Sequence, residues 1–355
     1  MNRITDFMNE LGKELVAKKN ISESSATLYI KNLFILNNKQ PFNNLSFLRN
    51  TSSVDDLLKD YKDNSKKTML SGIVSVLSLY KDKPTYKKIY QHYYDRMMNK
   101  ATEMKENNIN EKSKVQSDNW ISWEEVLNIK TLLKSAVETF TNQKLITASQ
   151  YDMLLAYLIL CLYTDIPPRR NQDYLDMFFI PSYNDKLDNT KNYLDWNNKE
   201  FIFLHYKTFK KYGKQITKFN DNKDLIDVIT LYLKYHPLNP SPLLKKIPKN
   251  THFKFLVYSD GSPLIAVNAI TRILNKIFGK KVGSSMLRHI YLSSKYDISA
   301  MKADADAMGH SLNEQRQYIK ESDDLDTEDE VNINIMTPKT PKPKPTKLKI
   351  KTTVI

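Results

Sequence analysis

The chain has 355 residues, with 54 lysines and arginines against 40 aspartates and glutamates, a formal charge of +14 and a pI near 9.4. Its one cysteine, Cys161, excludes an internal disulfide and a cysteine-built zinc cluster, and a buried structural thiol is expected instead. The length allows two domains, the apolar run 151–163 is too short to span a bilayer, and Met1-Asn2-Arg3 leads straight into an amphipathic pattern without a signal peptide, so a soluble intracellular protein is expected.

The first segment, 1–104, reads as a compact helical domain. Ile4, Phe7, Met8, Leu11 and Leu15 recur at helical spacing, and Ser22, Ser24 and Ser25 open a second helix carrying Ala26, Tyr29, Ile30 and Leu33. Further helices are predicted over 55–61, over 65–80 with Leu70, Ile73, Val74 and Leu77 on one face, and over 86–104. Lys66 and Lys67, followed by Thr68 at a helix start, are candidate phosphate contacts, with a solvated surface as the plain alternative. From 105 to 119 only Ile109 and Val115 are apolar, too few to pack, which predicts an inter-domain linker.

The second domain, 120–320, opens on a capping box, Ser122-Trp123-Glu124-Glu125. Helices are predicted over 149–163, 223–235, 264–278 and 284–296. Between the first two lies the β signal: strands over 201–206 and 215–219 flank the basic turn 207–214, which contains Gly213, and 193–196 adds a third strand. The expected class is mainly α with a small antiparallel sheet. After Lys320 the chain turns acidic over 321–330 and then alternates proline with lysine over 338–351, so 321–355 is expected to be a disordered tail.

The chemistry-bearing residues lie in this second domain. The turn Ile166-Pro167-Pro168-Arg169-Arg170 follows the apolar helix, and its prolines stop that helix, presenting Arg170 from a fixed backbone with Asp173 three residues on to hold it. Lys207 stands in the hairpin turn with Lys210, Lys211 and Lys214, all candidate DNA contacts. Arg288 follows Ser284-Ser285-Met286-Leu287. Met308-Gly309-His310-Ser311 precedes Leu312, Asn313 and Glu314, where Ser311 and Glu314 form a second capping box. Tyr318 then lies about two turns into that helix at ~1.5 Å of rise per residue. A phenol with a free pKa of ~10 needs cations around the phosphate and help with its proton before it attacks. Taken singly, each of these residues also fits a surface or packing role. The high positive charge, with tyrosines and asparagines among the lysines, suits a partner made of phosphates, although lysine richness also arises as a genomic habit.

In order, an arginine before an acidic residue, a hairpin lysine, Leu287-Arg288-His289, Met308-Gly309-His310-Ser311 and a tyrosine resemble the tyrosine recombinase (phage-integrase-like) family. The resemblance covers 120–320 strongly and 1–104 loosely, as a core-binding domain that would complete a two-domain DNA clamp. The composition is most similar to recombinases of large DNA viruses and their satellite elements. The resemblance implies that Tyr318 attacks a backbone phosphorus of double-stranded DNA, forming a 3′-phosphotyrosyl link and releasing a 5′ hydroxyl. Arg170 and Arg288 would bind the non-bridging oxygens, Lys207 would protonate the leaving oxygen and His310 would hydrogen-bond the phosphate. Energy is conserved in the phosphotyrosine, so no cofactor or metal is implied. Family members commonly work as tetramers on DNA.

One position departs from the family pattern. Three residues before the second arginine the family has a histidine or lysine that accepts a proton; here it is Ser285, which accepts no proton near neutral pH. His289 points ~100° around a helix from Arg288 and is no direct substitute. Three alternatives to a recombinase remain: a type IB topoisomerase with the same chemistry, a DNA-binding relative that has lost it, and a generic RNA-binding protein, which would explain the charge but not the ordered motifs.

Overall fold

The computed structural model describes residues 5–107, 112–240, 247–296 and 301. Contacts divide the chain into two units, Met1–Lys112 and Ser113–Ile355.

The first unit is helical: α1 (Asp6–Lys19), α2 (Glu23–Leu36), a 3-10 turn at Ser46–Arg49, α3 (Thr51–Lys59), α4 (Asp63–Leu77) and α5 (Pro84–Asn107). The starts are set by side chains that satisfy orphan amides. Thr5 caps α1 by accepting from Met8 N, Ser22 caps α2 by accepting from Ser25 N, and Asn50 caps α3 by accepting from Ser53 N. One apolar stripe per helix meets in a core of Leu11, Leu15, Leu33, Leu48, Ile73 and Leu77, and each such side chain contributes about 1.5–3 kcal/mol on burial. Tyr93, fully buried on α5, donates to the Leu48 carbonyl at 3.0 Å and so closes the 3-10 turn onto the bundle.

Helical structure reaches into the polar stretch 105–119, where the boundary between the two units falls. The last turn of α5 runs to Asn107, and α6 (Lys114–Asn119) starts at Ser113, whose side chain and that of Gln116 form a reciprocal capping box. In the second unit α7 (Trp123–Glu138) starts at the predicted Ser122–Glu125 box, and α8 (Ala148–Thr164) at a further box between Thr147 and Gln150. Helix α8 is apolar around its whole circumference and ten of its residues are buried, which makes it the central element of the core. Cys161 lies there as a fully buried thiol. No helix among the described residues is long and apolar enough to cross a membrane.

After α9 (Asn171–Leu175) comes a five-stranded sheet of β1 (Met177–Ile180), β2 (Asn192–Asp195), β3 (Glu200–Phe203), β4 (Gln215–Lys218) and β5 (Phe253–Lys254), in the order β4-β3-β2-β1-β5. The expectation of an antiparallel sheet is corrected here. The sheet is mixed, because β1 pairs parallel to β2 with Met177 opposite Asn192, while the remaining pairs are antiparallel. The connection 181–191 carries the chain back to the start of the sheet, as a parallel pair requires. It is fastened by Asp195, which accepts from Tyr183 N at 2.8 Å, and by Tyr193, whose hydroxyl donates to Asp188 O at 2.8 Å. The predicted basic turn contains a short helix, α10 (Phe209–Tyr212), ended by Gly213 at φ +65°, a conformation that costs a side-chain-bearing residue dearly. Three further helices follow among the described residues: α11 (Lys223–Lys234), α12 (Ala269–Phe278) and α13 (Ser284–Lys295). Helix α12 starts five residues later than predicted because Leu264 N turns back to Leu256 O at 3.3 Å.

Candidate active site

Pro167 and Pro168 lack amide protons, so α8 cannot continue, and the chain turns through Arg169 and Arg170 into α9. Arg170 is the N-cap of α9, with extended backbone (φ −77°, ψ 151°), and its carbonyl accepts from Asp173 N at 3.0 Å. The Arg170 side chain is half-buried. So is Arg288 on α13, whose Nε donates a long 3.4 Å hydrogen bond to Ser284 O. The two are far apart in sequence, yet the charge of Arg170 is felt at Arg288. Burial, and next the positive charge of Arg170, pull the Arg288 pKa below the ordinary arginine value, while Tyr163 and Asp173 act the other way. Among the described residues neither Arg170 nor Arg288 lies within 4.0 Å of a carboxylate. Asp173 offsets part of the repulsion between the two cations without bonding either side chain among the described residues, and an anion bound near both would relieve more of it.

Asp173 serves a different partner from the expected one. Its carboxylate, 3% exposed, accepts from Arg169 Nε at 3.0 Å rather than holding the Arg170 side chain. Both terminal nitrogens of Arg169 donate to Gln215 Oε1 at 3.0 Å, and its Cζ lies 3.7 Å from the Phe203 ring centroid and 5.1 Å from that of Tyr206. Burial raises the Asp173 pKa and the charge and hydrogen bond of Arg169 oppose that rise. The same neighbourhood is tied together by Asn192. Its amide nitrogen donates to the carbonyls of Asp173 (2.9 Å) and His205 (2.8 Å), and its oxygen accepts from the amides of Leu204 (2.9 Å) and His205 (2.8 Å).

A polar chain ties together the helices around the proline turn. Tyr163 Oη donates to Asn171 Oδ1 at 2.8 Å, and Asn171 Nδ2 donates to Thr271 Oγ1 at 2.8 Å, joining α8, α9 and α12. Burial pushes the Tyr163 phenol well above its usual pKa, so it stays a neutral donor. Gly283, the N-cap of α13, lets that helix approach α12. A Cβ at Gly283 would sit 3.2 Å from Thr271 Cγ2, a tight approach that Thr271 or the start of α13 would have to relieve by a few tenths of an ångström.

Lys207 is exposed in the β3–β4 connection, directly after Tyr206, whose hydroxyl donates to Gly213 O at 2.7 Å. Lys210, Lys211 and Lys214 lie exposed on the same connection. Lys211 Nζ is 4.8 Å from the Tyr212 ring centroid, and Lys214 pairs with Asp185 at 3.3 Å. Ser285 is exposed in the first turn of α13, and the neighbouring Ser284 is the buried one. Lys67 is exposed and Lys66 half-buried on α4 of the first unit. His310 and Tyr318 lie outside the described residues, as does the tail 321–355. Arg169, Gln215 and Asn192 are the site residues that the sequence reading missed. The four-residue spacing of Arg169 and Asp173 is the signal that points to that pair. No protein-family model matches the sequence, and no curated protein or solved structure matches it either.

Proposed function

We propose that the chain is a DNA strand-cleaving and rejoining enzyme of the tyrosine recombinase kind, acting on double-stranded DNA as an oligomer, with a tetramer as the working assembly. The observation that supports this reading is that Arg170 and Arg288, half-buried and from distant segments, act on each other electrostatically and that neither is ion-paired to a carboxylate among the described residues. A phosphodiester is the anion that suits such a pair, because two guanidinium forks match the non-bridging oxygens and the charge that grows on them as phosphorus becomes five-coordinate. Tyr318 Oη bonds to phosphorus while the bond from phosphorus to O5′ breaks. Lys207 gives its proton to O5′, His310 hydrogen-bonds the phosphate, and the tyrosine proton passes to His310 or water. Attack by a second 5′ hydroxyl on the phosphotyrosine reverses these steps and joins new strands. Lys210, Lys211, Lys214, Lys66 and Lys67 bind backbone phosphates, which positions the duplex without reading its sequence.

Ser285 favours a second reading, a DNA-binding relative with weak or lost chemistry, since an exposed hydroxyl supplies no proton acceptor. The experiment is to incubate the protein with supercoiled plasmid and with a suicide DNA substrate whose cleaved strand diffuses away. A covalent protein–DNA adduct absent in Tyr318→Phe supports the enzyme. DNA binding with no adduct supports the binding relative, and relaxation without strand exchange supports a type IB topoisomerase.

A further inference from the structure

We propose that Arg169 is a positioning residue: it locks the β3–β4 connection against the proline turn and so sets where the Lys207 ammonium meets the leaving oxygen. This rests on the function proposed above. Arg169 grips both ends of that connection. Its guanidinium lies over Phe203, the last residue of β3, and both its terminal nitrogens bond to Gln215, the first residue of β4. It also faces the Tyr206 ring, one residue before Lys207, and Tyr206 closes the connection on itself through Gly213 O. Asn192 already fastens residues 204 and 205, so the part left for Arg169 to hold runs from 206 to 215.

Arg169 is not placed to serve as a phosphate ligand. Three of its five N–H donors are engaged by Asp173 and Gln215, and its side chain is 18% exposed. Among the described residues Arg170 next to it has no such side-chain partners, which sets Arg169 apart as a structural anchor and Arg170 as the proposed anion binder. A lysine at 169 has no planar fork to bond Asp173 and Gln215 together while stacking on Phe203. Lys207 itself is exposed on a long flexible stem, so the place of its Cα decides whether its proton reaches O5′.

The test compares the suicide substrate with a counterpart carrying sulfur in place of the bridging 5′ oxygen. A thiolate leaves without being protonated, since thiols ionise near pH 8.5, and so removes the need for a general acid. Arg169→Ala is expected to slow adduct formation on the oxygen substrate by roughly 10²–10⁴-fold, the usual contribution of a general acid. On the sulfur substrate it is expected to come within about tenfold of wild type, whereas Arg170→Ala stays slow on both. Arg169→Lys should behave like Arg169→Ala. Gln215→Ala, which leaves the buried Asp173 carboxylate paired, gives a smaller defect with the same rescue and serves if Arg169→Ala fails to fold. Equal slowing on both substrates overturns the proposal. Amide hydrogen exchange adds an arm that needs no activity: exchange over 206–214 should rise in both variants, and unchanged exchange there overturns the hold. Wild-type protein that forms no adduct on either substrate overturns the parent function and the proton-donor role with it, and exchange then decides the hold alone.

Discussion

Arg288→Gln should make the protein more stable while removing its proposed chemistry. In the wild type, the folded state carries two half-buried guanidiniums, and the lowered pKa of Arg288 has burial as its first cause and the charge of Arg170 as its second. Glutamine keeps much of the stem and removes the charge. What is lost is one long hydrogen bond, Nε to Ser284 O at 3.4 Å, at the weak end of the ~0.5–1.5 kcal/mol usual for such bonds, together with the smaller favourable influence of Tyr163 and Asp173. What is relieved is like-charge repulsion and the desolvation of a cation, the larger causes, so a net gain within the ~0.5–2 kcal/mol common for single stabilising substitutions is expected. In a domain of about 150–250 residues that is roughly 2–4 °C in Tm per kcal/mol. Thermal melts at low and high salt measure it. The gain should shrink as salt screens the repulsion, and inorganic phosphate should raise the wild-type Tm more than that of the variant. A variant that melts below wild type at low salt, with no difference in its response to phosphate, would refute the picture of two arginines that repel each other.

Two further outcomes follow from named residues. His236 is 4% exposed, its Nε2 bonds to Phe255 O at 3.1 Å and its Nδ1 accepts from Leu238 N at 3.2 Å, an arrangement that only the neutral ring satisfies, and burial lowers its pKa to about 4. Because the unfolded chain takes up this proton near pH 6.5 and the folded one only near 4, stability is present above pH 6.5 and falls as pH drops from 6.5 to 4, by ~3 kcal/mol in all. Denaturant titrations of wild type and His236→Gln should differ in pH slope within that window, and equal slopes would contradict it. Lys66→Ala and Lys67→Ala should each weaken DNA binding uniformly across sequences and reduce the slope of log K against log[salt] by about 1. An unchanged slope would mark these lysines as solvated surface.

How much of this was legible in the sequence depended on which physical signal each element carries. Helix starts were legible where a side chain satisfies orphan amides, as in the Ser122–Glu125 box, which forms with both bonds. Helix α6 was not, because its Ser113–Gln116 box opens a polar segment with no apolar face to mark it. Strand β1, Met-Phe-Phe-Ile, gives no alternation because it is covered on both sides, and β5 has two residues, so the mixed pairing of the sheet was out of reach. At the site, the proline turn named the right segment, but two adjacent arginines stand within reach of one carboxylate. The extended backbone at Arg170 turns that choice toward Arg169, a tertiary outcome that spacing alone does not settle.

The most direct measurement is of the bond the proposed enzyme would make. Wild-type protein trapped on a suicide substrate should carry DNA covalently, and peptide mapping should place the nucleotide on Tyr318. Tyr318→Phe should bind the same DNA and carry none. A phosphotyrosine at any other position, or an adduct that persists in Tyr318→Phe, would contradict the account.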